Sequence, residues 1–147
     1  MRVEWKAPVS YVSGTPMFDS NGHVTQRVMA GVENVMAAYT EVARLAEKYM
    51  DHNPCNYSVD SIFVVGSGAR TNFADSDIDI MLIAPKLDNA SCDNAKMMLS
   101  AVFFNDRPKQ EAIDVFIRSR DKYPDRPSMN ITSEVADILR KYNEMLC

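Results

Sequence analysis

No stretch of this chain stays apolar for the roughly 20 residues that a bilayer-crossing helix needs. Its start, Met1-Arg2-Val3-Glu4-Trp5-Lys6, has neither the apolar centre nor the small-residue cleavage site of a secretory signal. A cytoplasmic protein with no membrane partner is therefore expected. Positive charge is also short: the formal net charge is −4 and the pI is near 5.1. That balance argues against a broad surface tracking nucleic-acid phosphates, so nucleic acid is not the expected partner. Cysteine is scarce, odd in number and scattered (Cys55, Cys92 and Cys147), which predicts no disulfide framework. His52 and Cys55 have a ligand-like spacing, but no second pair completes a zinc site. There is no internal repeat or low-complexity tract.

What remains is an ordinary globular composition, 46% hydrophobic and 24% charged over 147 residues, enough for one domain with a real core. Residues 1–22 contain Pro8, Gly14, Pro16 and Gly22 and give no period, so this N-terminal segment is poorly defined; Val9–Val12 could form a short edge strand. Residues 23–147 then read as a single domain. From His23 to Met50, Val28, Val32, Val35, Tyr39, Val42, Ala46 and Tyr49 recur in steps of four and three, the mark of one long amphipathic helix. That stripe predicts packing on the domain's own sheet, with a homodimer through helix 24–50 as the alternative. Pro54 stops the helix.

Ser61–Val65 is a β-branched strand, broken by Gly66-Ser67-Gly68, and 69–74 reads as a short helical turn. Asp77–Ala84 is a second strand, Asp88–Phe104 a helix, and Ala112–Ile117 a third strand. Residues 119–130 read as loop. Thr132 or Ser133 would cap a last helix carrying Val135, Ile138, Leu139, Tyr142 and Leu146. The expected fold class is α/β or α+β: a small mixed β-sheet with helices packed on it.

The chemistry gathers at the head of the second strand. Alternation puts Asp77, Asp79, Met81 and Ile83 on one face and Ile78, Ile80 and Leu82 on the other. Two carboxylates roughly 7 Å apart by strand rise repel unless a cation lies between them or one is protonated. Hard divalent cations such as Mg²⁺ suit such oxygen donors. Asp114, inside the apolar run Ile113–Ile117, would be costly unpaired. If its strand lies beside the second, three carboxylates converge as a two-ion phosphoryl-transfer centre would require. Gly66 and Ser67 sit at a corner where backbone N–H groups and a hydroxyl could approach phosphate oxygens.

Val65-Gly66-Ser67, nine residues, then Asp77-Ile78-Asp79-Ile80, with Asp114 on a later strand, resembles the signature of the DNA polymerase β-like nucleotidyltransferases. With Ala69-Arg70 after the Gly-Ser, it is most similar to the minimal nucleotidyltransferases of prokaryotes. The likeness covers roughly 60–118. It departs at Thr71, where the minimal family commonly has Gly, and at Gly68, where a larger residue is frequent; both bear on substrate fit rather than on the carboxylates.

The resemblance implies a nucleotidyltransferase fold in which Gly66 and Ser67 hold phosphates. Asp77, Asp79 and Asp114 would bind two Mg²⁺ ions, with Mn²⁺ as substitute, and Asp114 would help deprotonate the acceptor. Arg70 and Arg118 are candidate phosphate contacts, with Arg120, Lys122 and Arg126 nearby. The implied activity moves NMP, above all AMP from ATP, to a hydroxyl on a partner protein such as a HEPN-type toxin. The alternatives are an idle antitoxin module and an aminoglycoside-type small-molecule enzyme.

Overall fold

A computed structural model describes residues 5–12, 14–66, 77–103, 113–120 and 128–147. Among them are helices α1 (Gln26–Met50), α2 (Asn89–Met98) and α3 (Ala136–Leu146). The strands are β1 (Ser61–Val65), β2 (Ile78–Ile83), β3 (Ile113–Arg118) and β4 (Ser128–Asn130). The strands form one mixed sheet in the order β3-β2-β1-β4. β1 runs antiparallel to both its neighbours, and β2 and β3 are parallel, joined through α2.

The alternation read from β2 separates two apolar layers. Ile62, Val64, Ile78, Ile80, Leu82, Val115 and Ile117 join Val28, Val32, Val35, Tyr39, Val42 and Ala46 of α1 in the main core. Phe63, Val65, Met81 and Ile83, with Phe116, form a smaller cluster on the opposite face. The apolar stripe of α1 is thus spent against the chain's own core from Val28 to Ala46, while Tyr49, its expected last member, is exposed. Each fully buried Val, Ile or Leu side chain there is worth about 1.5–3 kcal/mol, and a dimer built on that stripe would have to give this up. Gly31 faces the sheet: a Cβ there would lie 3.5 Å from Ile113 Cδ1 and 3.6 Å from Ile78 Cδ1.

Helix α1 ends at Met50, where the sequence reading ends it, four residues before Pro54. Asp51 adopts a left-handed conformation (φ 56°), and the His52 N–H donates back to Ala46 O at 3.2 Å. Asn53 then accepts from Cys55 N and opens a 3₁₀ turn over Pro54–Tyr57. Glu33 ties α1 to α3 by accepting from Lys141 Nζ at 2.7 Å and from the Tyr142 hydroxyl at 3.1 Å.

Several expectations need correction. Val9–Val12 forms no strand, because the Asn34 side chain takes both backbone groups of Val9: Val9 N–H donates to Oδ1 at 3.2 Å, and Nδ2 donates to Val9 O at 3.0 Å. The N-terminal segment is nonetheless anchored, with Met17 and Phe18 buried and Phe18 bridged to Val24. Helix α2 gives way at Leu99 to a π-helical turn, Leu99–Phe103. Ser128–Asn130, read as loop, is the edge strand β4. Neither Thr132 nor Ser133 caps α3, which starts at Ala136 with no side-chain cap. The Thr132 hydroxyl instead donates to Asn130 Oδ1 at 2.6 Å and accepts from Ile62 N–H at 3.0 Å, pinning the end of β4 to β1.

Cys55 and Cys147 are joined by a disulfide, with Cα atoms 4.7 Å apart. Asn143 prepares the pairing: it accepts from Val59 N–H at 2.9 Å and donates to Val59 O at 2.8 Å, laying the end of α3 against the 3₁₀ turn. Such a bond is uncommon in reducing compartments and sits against the cytoplasmic expectation. Among the described residues, no helix is long and apolar enough to cross a membrane.

Candidate functional site

The register of the sheet gathers the acidic residues. Val65 pairs with Asp79, and Asp79 pairs with Asp114. On the other side Val65 pairs with Ser128 of β4. Residues paired across a ladder project to the same face. Asp114, Asp79, Val65 and Ser128 therefore form one row at one end of the sheet, with neighbours about 4.8 Å apart. The row lies on the face away from α1. Asp79 is half-buried, while Asp114 and Ser128 are exposed. Asp77 immediately precedes β2 and is also exposed.

The end of β1 is shaped to this row. Gly66 has φ +72°, a conformation L side chains rarely adopt. A Cβ on it would lie 2.5 Å from Asp79 Oδ2. The missing side chain lets the β1 bend and the Asp79 carboxylate occupy adjoining space.

Ser67 and Arg70 lie outside the described residues, as does the helical turn expected at 69–74. Arg118 keeps Asp114's parity but stands four residues along β3, about 13 Å by strand rise, at the other end of the sheet. Its Nη1 donates to Ile117 O at 3.1 Å, and it borders a cleft with Asp88, Asn89, Ser119 and Arg120. Lys122 and Arg126 fall outside the described residues. The strand that carries Ser128 was read as loop, because three residues are too few to show alternation and Pro124 and Pro127 stand beside it.

The donor set can be tested against the expected metal. Among the described residues, no three His, Cys, Asp or Glu side chains gather as a ligand group. The carboxylates form a row rather than a closed cage. Mg²⁺ does not require a cage, since it keeps several waters and is commonly held by one or two carboxylates plus substrate phosphates. The Asp79–Asp114 pair beside the Gly66 bend fits that requirement; Asp77, exposed just before β2, does not complete a three-ligand group with them.

Burial raises the Tyr39 and Tyr57 hydroxyls and the Cys92 thiol. Tyr39 donates to Tyr57 O at 2.7 Å, and Tyr57 Oη lies 2.7 Å from His52 Nδ1, beside α2's start rather than the acidic row. His52 is thus engaged with Tyr57, and Cys55 with Cys147.

Comparison with protein-family models, curated proteins and solved structures finds no match to this chain.

Proposed function

We propose that the chain is a metal-dependent nucleotidyltransferase that moves a nucleoside monophosphate, AMP from ATP by preference, onto an acceptor hydroxyl. The observation that carries the reading is the in-register placement of Asp79 beside Asp114, with the Asp79 carboxylate seated in the space that a side chain at Gly66 would fill. A nucleotidyltransferase fold is the finer statement of the mixed α/β architecture, and it is part of this proposal.

Asp79 and Asp114, with the exposed Asp77 just before β2, are the residues that would hold Mg²⁺. A bound divalent ion supplies charge neutralisation and Lewis acidity to phosphoryl oxygens. The chain's own residues divide the remaining work. Gly66 and Ser67 are the residues that would offer a backbone N–H and a hydroxyl to phosphate oxygens. Asp114, the more exposed of the paired acids, faces the incoming acceptor and takes its proton. The acceptor oxygen then bonds to the α-phosphorus, the bond to the bridging oxygen breaks, and pyrophosphate leaves. Arg70 and Arg118 remain candidate phosphate contacts; Arg118 stands about 13 Å along β3 from Asp114 by strand rise.

A partner protein's hydroxyl is the acceptor class the sequence resemblance favours, a HEPN-type toxin being its representative. Incubating the protein with Mg²⁺, labelled ATP and the product of a neighbouring gene should label that product. Absence of label with every nucleoside triphosphate would count against the reading. The open carboxylate row favours one second reading, an idle module of the same fold that masks its partner. In that case Asp79→Ala would leave masking intact, and no label would transfer.

A further inference from the structure

We infer, independently of the nucleotidyltransferase reading, that the Cys55–Cys147 bond is a redox-responsive latch, opened and closed by thiol–disulfide exchange in the folded protein. Two rungs join the same two segments. Asn143 grips both backbone groups of Val59, and the disulfide joins Cys55, four residues before Val59, to Cys147, four residues after Asn143. Neither cysteine depends on the bond for its place. Cys55 N–H donates to Asn53 Oδ1 at 3.0 Å, and its carbonyl accepts from Ser58 Oγ at 2.9 Å. Cys147 N–H donates to Asn143 O at 3.1 Å, and Glu33 holds Lys141 and Tyr142 one turn earlier. The thiols of a reduced chain therefore stay within reach of each other, at the high effective concentration that favours reclosure.

Access favours one sulfur. Cys147 is exposed and Cys55 half-buried, and Cys147 borders an open cleft of about 550 Å³ with Val59, Asn143 and Glu144. The thiolate of a small thiol such as glutathione attacks Cys147 Sγ, the S–S bond breaks, and Cys55 leaves as a thiolate that takes up a proton. A second glutathione thiolate attacks the glutathione sulfur of the mixed disulfide and releases Cys147, which is protonated in turn. Two electrons and two protons pass to the protein, and glutathione disulfide is the oxidised product. Opening loosens the end of α3: the turn after Asn143, left with its helical hydrogen bonds and the burial of Leu146, unfolds locally more readily. Cys92, buried and unbridged, stands outside the exchange. Disulfides of reducing compartments are mostly of this transient kind.

The test equilibrates the full-length chain in glutathione buffers of graded thiol-to-disulfide ratio, then quenches with acid, alkylates and maps the thiols by peptide mass spectrometry. Hydrogen exchange follows the fold in parallel. Cys55 and Cys147 should lose alkylation together as the buffer becomes oxidising and regain it when the ratio is reversed, with Cys92 a thiol throughout. Reduction should speed exchange severalfold in residues 143–147 and leave β1 and β2 protected. Asn143→Ala should shift the equilibrium severalfold toward the thiols, because the segments are no longer aligned once the bond opens; urea unfolding checks that this variant folds, and the wild-type titration stands without it. Reduction that proceeds only in urea, or that unfolds the whole chain, would overturn the latch. So would a pair that stays as thiols in oxidised glutathione. A folded Asn143→Ala chain with the wild-type equilibrium would overturn the alignment by Asn143.

Discussion

The Oδ2 oxygen of Asp79 occupies the space into which a side chain at Gly66 would grow, 2.5 Å from the position of a Cβ. Glycine and carboxylate therefore form one unit. Gly66→Ala should cost about 1–2 kcal/mol from the left-handed backbone alone, plus the displacement of Asp79. Urea unfolding of the single and double variants separates the two effects. In an Asp79→Ala background the Gly66→Ala cost should shrink to the backbone strain. Strict additivity would contradict the contact.

The Cys55–Cys147 bond spans a sequence separation of 92, and a loop of that order stabilises by about 2–5 kcal/mol. Reductant, or Cys147→Ser, should lower the denaturation midpoint accordingly. Cys92, buried and unbridged, should confer no such dependence when replaced by Ser. A midpoint indifferent to reductant would show that the bond is not formed in solution.

Gly31 offers the opposite expectation. Its missing Cβ would meet only ordinary contacts with Ile113 and Ile78, and alanine gains helix propensity. Gly31→Ala should thus raise stability by about 0.5–1 kcal/mol. Gly31→Leu should lower it by about 1–3 kcal/mol through overpacking. Thermal melts decide, and a destabilising alanine would mean that the helix–sheet approach is tighter than described.

Acid sensitivity should trace to Asp19 and Asp88. Backbone N–H groups of His23 and Ser91, respectively, hold these carboxyls below their ordinary range. A depressed folded-state value means that the unfolded chain binds the proton more tightly. Their stabilisation is therefore complete above about pH 4 and is lost as pH falls through the lower folded-state values. The Asp19→Asn, Asp88→Asn double variant keeps acceptors but not this proton linkage. Its urea midpoint should fall less than the wild type's between about pH 5 and pH 3. Parallel losses would contradict the assignment.

Much of the site's frame was legible because strands write their geometry into alternation. Ser61–Val65 has the boundaries its composition predicts, and the split of Asp79 and Met81 from Ile78, Ile80 and Leu82 follows from the pleat. The expectation that Asp114 lies on a neighbouring strand was conditional on pairing, and the parallel register meets that condition. Long-range choices were not legible. Cys55 and Cys147 meet because Asn143 and Val59 bring distant segments together. Thr132 serves β1 and Asn130 rather than a helix cap, since tertiary partners outcompeted the local role. Val9 likewise gave its backbone groups to Asn34.

The account rests on Asp79 and Asp114 sharing a cation at the Gly66 bend. Its most direct test is anomalous scattering from crystals soaked with Mn²⁺ and a non-hydrolysable ATP analogue. The account predicts a manganese peak contacting both carboxylates, with the analogue's phosphates against Gly66. A bound analogue without manganese at that pair, or manganese bound elsewhere, would contradict it.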